Sequence, residues 1–190
     1  MPRPLSISTA RLRLRAFRTA DAEDVQRLAG QRSIADTTLN IPHPYEDGMA
    51  EKWISNHRDW FERRQQAVFA VTLPGPPEAF VGAIELRVDC EDQRGELGYW
   101  IGIPYQRQGY ATEAARALLQ FGFESWGLHR VTAQCFSRNL PSRRVLQKIG
   151  MAHEGHLRQH LIKWGVFEDV DLYGILAEQW RAADPLFSGN

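Results

Sequence analysis

The stretch from Gly95 to Glu113 reads Gly-Glu-Leu-Gly-Tyr-Trp-Ile-Gly-Ile-Pro-Tyr-Gln-Arg-Gln-Gly-Tyr-Ala-Thr-Glu and carries the clearest chemistry in the chain. An apolar strand, Glu96 to Ile101, runs into a short loop that turns on Gly109, and small residues then open a helix. Backbone N–H groups of such a loop converge in front of a helix N-terminus, where the first-turn donors are unpaired and the helix dipole is positive. That geometry binds phosphate. The residues placed to do so are Gln106, Arg107, Gln108, Gly109, Tyr110, Ala111 and Thr112. No Lys-Ser/Thr follows the glycine, which excludes a nucleoside-triphosphate P-loop, and there is no Gly-x-Gly-x-x-Gly dinucleotide fingerprint. The plain alternative is an ordinary strand–helix turn.

The elements that must position this loop follow from periodicity. Leu12 and Leu14 alternate with Arg11, Arg13 and Arg15, which predicts a half-buried strand with its arginines in water. Asp21 is placed to cap a short helix through about Leu28. The segment from Gln31 to Tyr45 holds two prolines and no clear period, and reads as a loop; Tyr45, with His43 before it, is the aromatic placed to touch a substrate. Ala50, Trp53, Ile54, His57, Trp60 and Phe61 recur at helical spacing. Strands are expected at Val68–Leu73, around Ile84–Val88, at Glu96–Ile101 and at Arg130–Phe136. A final hairpin is expected to turn at Trp164-Gly165. Helices are expected from about Gly109 to Trp126 and from Leu140 to Ile149, the second stopped by Gly150. Adjacent strands mixed with strand–helix alternation predict a mixed sheet flanked by helices, in one domain spanning 1–190.

Lys plus Arg and Asp plus Glu both number 23, so the net charge is zero, which argues against bulk electrostatic binding of nucleic acid or membrane. Cys90 and Cys135 make no disulfide framework, and the opening Met-Pro-Arg-Pro-Leu-Ser has no apolar core of a signal peptide. A cytoplasmic protein is expected. The six histidines show no ligand spacing, and no metal is expected.

The run Gln106-x-x-Gly109-x-Ala111-Thr112 resembles the acetyl-coenzyme A pyrophosphate loop of the GNAT acyltransferases. The resemblance extends in order along the chain. Thr9-Ala-Arg-Leu-Arg-Leu-Arg-Ala-Phe17 is similar to the opening strand of the ribosomal-protein N-terminal (Rim-type) branch. Asn139-Leu-Pro-Ser-Arg-Arg-Val-Leu-Gln-Lys-Ile-Gly-Met151 is similar to its second loop and helix, and Gly165-Val-Phe-Glu-Asp-Val-Asp-Leu-Tyr173 to its closing strand. One departure is Arg107, which stands where many relatives carry a glycine; the loop forms readily if that backbone keeps φ below zero.

The resemblance implies an α+β, three-layer fold: a twisted mixed sheet of about seven strands whose central pair splays apart, with acetyl-coenzyme A as co-substrate in the notch. It implies acetyl transfer to a primary amine by direct attack on the thioester in a ternary complex. A protein N-terminus is the favoured acceptor; a polyamine, an amino sugar or a non-catalytic coenzyme-binding domain are the alternatives. A homodimer is left open. Tyr99, Trp100 and Ile101 are expected to offer backbone groups to the pantetheine arm, and Asn139 to contact it, unless Asn139 is only the N-cap of its helix. Glu96, facing the same side as Trp100, is the expected base, directly or through water, with Glu85 on the neighbouring strand as runner-up. Ser142 is the expected proton donor to the leaving thiolate. The tyrosine that other branches carry later in this helix is missing, and Leu146 stands in its neighbourhood.

Overall fold

The computed structural model describes residues 6–183; the opening residues 1–5, read above for a leader, lie outside the described residues, as do 184–190. Eight strands form one sheet in the order β1-β2-β3-β4-β5-β6-β8-β7. They are β1 (Ile7–Ser8), β2 (Arg13–Arg15), β3 (Gln66–Leu73), β4 (Ala79–Asp89), β5 (Arg94–Ile101), β6 (Arg130–Phe136), β7 (Ala152–Lys163) and β8 (Val166–Leu176). The helices are α1 (Ala22–Ala29), α2 (Arg32–Thr37), α3 (Met49–Ser55), α4 (His57–Glu62), α5 (Tyr110–Gln120), α6 (Leu140–Lys148) and α7 (Ala177–Ala183).

All neighbouring strands are antiparallel except β5 and β6. A parallel pair needs a long crossover, which α5 provides. The small side chains of Ala114 and Ala115 let α5 lie close on the sheet, and with Leu118, Leu119 and Leu146 they bury Leu86, Leu97, Val131 and Ala133. The opposite face is covered by α1 and α3, whose Val25, Leu28, Ala50 and Ile54 enclose Ala70 and Phe80. This gives the three layers expected.

The parallel pair is short. It holds from Arg94↔Arg130 to Leu97↔Ala133 and then stops, although β5 continues to Ile101 and β6 to Phe136. Beyond that point β5 stays bonded to β4 as far as Ile101↔Gly82, while β6 follows β8 as far as Phe136↔Val170. The sheet therefore opens into a notch at Gly98.

Several expectations change. The eighth strand is β1, two residues long and too short to show a period. Helix α2 lies within the segment read as a loop; no side chain caps its start, so no start signal marks it, and burial of Ile34 and Ala35 holds it. The last strand ends at Leu176 and gives way to α7. Arg15 is not on the wet face: it is buried, donating to Asp21 Oδ2 at 2.7 Å, Asp21 Oδ1 at 2.9 Å and Glu78 Oε2 at 2.7 Å. Asp21 therefore does not cap α1 with its side chain. It accepts from Arg15 and from the Arg18 backbone instead.

Candidate active site

The loop between β5 and α5 closes on two left-handed residues, Arg107 at φ +61° and Gly109 at φ +83°. The condition set for Arg107, φ below zero, is not met. A side chain in that region costs about 1–2 kcal/mol, so the surrounding contacts have to hold it there. The first helical hydrogen bond of α5 runs from Glu113 N to Gly109 O at 3.0 Å. The N–H groups of Tyr110, Ala111 and Thr112 come before that bond and have no intrahelical partner among the described residues. This arrangement fits a pyrophosphate: donors converge at the positive end of an eleven-residue helix, and Gly109 presents no side chain to hold the ligand off.

Gln106 takes a part that the sequence did not suggest. Its Nε2 donates to Ile101 O at 2.9 Å, tying the loop back to the end of β5. Gln108 Nε2 reaches Pro104 O at 3.3 Å. The strand backbone from Gly98 to Ile101 has no strand partner on its β6 side, which leaves polar groups for an amide-rich chain such as pantetheine.

The walls of the notch come from α6 and the diverging strands. Asn139 caps α6: its Oδ1 accepts from Ser142 N at 3.2 Å, while its Nδ2 donates to Thr37 O at 3.1 Å. Both ends of this amide are thus engaged within the protein, and one of them fastens the end of α2 to the notch. Ser142 Oγ lies 2.9 Å from Tyr99 Oη. Burial pushes the Tyr99 phenol well above its ordinary value, against the pull of that hydrogen bond. Cys135 on β6 also neighbours Ser142, and burial with the Asp171 charge pushes its thiol up to about 11. Ser142 therefore sits between a residue of β5 and one of β6, just past the point where the strands part.

The two candidate carboxylates differ. Glu85 accepts from Gln66 Nε2 at 2.8 Å and from Arg87 Nη2 at 2.7 Å, so it is already neutralised. Gly98 lies beneath it, and a Cβ there would come within 3.0 Å of Glu85 Oε1. Glu96 is half-buried, lies opposite Arg87 and Thr132, and makes no direct hydrogen bond among the described residues. It stands one position before the last paired residue of β5, at the apex of the notch. Tyr45 packs against the α1–α3 cluster, as do Trp100 and Tyr105.

The sequence reading missed Tyr99 as a side chain. The signal was there: strand alternation puts residue 99 on the α6 side, opposite Trp100. Among the described residues no group of three or more His, Cys, Asp or Glu side chains is arranged to hold a metal.

A model of the acetyltransferase (GNAT) domain matches residues 11–152. The chain belongs to the GNAT acetyltransferase family. The reaction class of that family is acetyl transfer from acetyl-coenzyme A to an amine. The chain is 44% identical to the uncharacterized N-acetyltransferase YnaD of Bacillus subtilis over 86 residues, 45% of this chain and 51% of that one. It thus spans about half the length of that relative. It is 30% identical to the ribosomal-protein-serine acetyltransferase of Escherichia coli over 97 residues, 50% of this chain and 54% of that one. Mycobacterium smegmatis RimJ, solved in complex with CoA-disulfide, superposes with a TM-score of 0.82 at 25% identity, covering 93% of this chain and 89% of that one.

Proposed function

We propose that this GNAT acetyltransferase acts on the α-amine of a protein N-terminus, in the cytoplasm, as one catalytic unit. The observation that carries the reading is the charge balance on the acceptor face of the notch. Glu85 is held by Arg87 and Gln66, whereas Glu96 makes no direct hydrogen bond among the described residues and meets the Arg87 charge only through space. One carboxylate suits one amine. A polyamine would need several to offset the cost of desolvating its charges. The name of the Escherichia coli relative, which acts on a ribosomal-protein serine, supports the same acceptor class.

The reaction then needs little from the protein. An α-amine has a pKa near 8, so a useful fraction is neutral at physiological pH. Its lone pair attacks the thioester carbonyl, the new N–C bond forms, and the C–S bond breaks as the tetrahedral intermediate collapses. Glu96 takes the amine proton, directly or through a water. Ser142 gives a proton to the departing thiolate, and Tyr99 orients Ser142. The backbone of Tyr99, Trp100 and Ile101 holds the pantetheine arm, and residues 107–112 hold the pyrophosphate.

An acceptor screen with thiol detection tests this reading. Peptides with free serine or alanine N-termini should release coenzyme A, and the same peptides with blocked N-termini should not. Faster turnover of spermidine or an amino sugar than of any peptide would overturn the acceptor assignment. Thiol release that stays at the level of solvent hydrolysis with every acceptor would favour a non-catalytic coenzyme-binding domain.

A further inference from the structure

The coenzyme loop is held from outside by a residue far away in sequence. Arg11 lies in the tight turn between β1 and β2. Its Nη1 donates to Gln108 O at 2.9 Å, and its guanidinium stands over the Tyr110 ring, 4.9 Å from the centroid. Its Nε reaches Glu113 Oε2 at 2.7 Å, and its own backbone N donates to Glu113 Oε1 at 2.8 Å. Thr9 Oγ1 also donates to Glu113 Oε1, at 2.6 Å. Apart from the ties to Ile101 and Gly102 at the end of β5, Arg11 supplies the one hydrogen bond that residues 103–109 receive from outside residues 101–113, among the described residues.

We propose that Arg11 is a positioning residue for the coenzyme: with Glu113 as its anchor, it clamps the loop in the two-fold left-handed form that aims the donors of α5 at phosphate. The chemistry of the contacts supports a clamp. A guanidinium is a planar fork that can bind a carboxylate and a carbonyl at once and stack on a ring; an ammonium cannot do all three. The anchor is firm. Burial alone would raise the Glu113 carboxyl, but the donors from Thr9 and Arg11 outweigh it and hold it below its ordinary value. The strained backbone at Arg107 needs such an external hold, because a loop free to relax would turn its N–H groups away.

The proposal rests on the loop being the phosphate cradle. Arg11→Ala should raise the KM for acetyl-coenzyme A about tenfold, the scale of one lost charge-assisted hydrogen bond. The turnover number, the acceptor KM and the melting temperature should stay close to wild type. Arg11→Lys should recover only part of the affinity. An unchanged coenzyme KM in folded Arg11→Ala, or full recovery by lysine, would overturn the clamp. Glu113→Gln, which keeps the shape and loses the anchor charge, should also raise the KM. A fall there would overturn the proposal, because it would mean that the carboxylate only repels phosphate. The salt dependence of coenzyme A binding should have the same slope in Arg11→Ala as in wild type; a shallower slope would replace the clamp with direct phosphate contact. Wild-type protein that binds no coenzyme would refute the cradle instead. Hydrogen exchange of the hydrogen-bonded amides of Tyr105, Gln106 and Glu113 in the coenzyme-free chain, expected to quicken in Arg11→Ala, would still decide the clamp.

Discussion

Tyr99 Oη and Ser142 Oγ stand 2.9 Å apart, joining the first residues of the free part of β5 to the first turn of α6. Helix α6 carries no tyrosine, and Tyr99 from the sheet reaches its first turn. If Ser142 delivers the proton to the thiolate, Tyr99 fixes the direction of its hydroxyl. Ser142→Ala should lower the turnover number about a hundredfold, the lower end of general-acid contributions. Tyr99→Phe should lower it about tenfold with little change in coenzyme affinity, and adding it to Ser142→Ala should cost nothing more. Additive losses in the double variant would show that the two hydroxyls act separately.

Glu96 lacks the donors that neutralise Glu85, and this separates the two by pH. Glu96→Gln should slow acetylation most near neutral pH and less as pH rises past about 8, where an α-amine has already lost its proton. Glu85→Gln should leave the pH profile of the rate in place. A Glu96→Gln defect that is flat with pH would falsify the base assignment.

How much of this was legible in the sequence depended on the range of the interactions. The loop, the strand before it and the capping residue of α6 are local: Gln106 to Thr112 and Asn139 to Ser142 announce themselves by order alone. The notch is not local. It exists because β5 and β6 part after Leu97↔Ala133, and residue order along either strand gives no sign of it; the family resemblance supplied that expectation. Arg15 misled because alternation assigns a face but not what covers it. Its partner Glu78 is 63 positions away. Arg11 was invisible for the same reason, since its anchor Glu113 and its target Gln108 are 102 and 97 positions away.

Gly109 is the position where coenzyme affinity and folding should separate. At φ +83° any side chain is strained, by about 1–2 kcal/mol. The space around it is otherwise open, the nearest neighbour to an added Cβ being Arg11 Nη2 at 3.3 Å. Gly109→Val should therefore fold with a modest loss of melting temperature and bind coenzyme A far more weakly, because the side chain stands in the path of the pyrophosphate. Wild type should show a melting temperature that climbs with the logarithm of acetyl-coenzyme A concentration, and the variant should show little climb at the same concentrations. An equal climb in both would move the phosphate site elsewhere.

His57 sets a pH dependence of stability unconnected with catalysis. It is buried among Trp53, Phe17 and Trp60, with ring centroids 4.4, 5.0 and 5.7 Å away, and neither ring nitrogen has a hydrogen-bond partner among the described residues. Burial holds it down to about 4, so it is neutral in the folded chain. In the unfolded chain it titrates near 6.5, and between those values only the unfolded state takes up the proton. The stabilising contribution is therefore complete above about 6.5 and is lost as pH falls toward 4, on the order of 3 kcal/mol in all. His57→Phe fills the same aromatic site, removes the titration and leaves no unpaired nitrogen. Its stability by urea unfolding should exceed that of wild type, by more at pH 4.5 than at pH 7.5. His156, whose pKa is raised by its hydrogen bond to Asp171, contributes with the opposite sign, but it is present in both proteins and cancels in the difference. Equal differences at the two pH values would mean that His57 is protonated in the folded state and that its site is wetter than the packing of its neighbours implies.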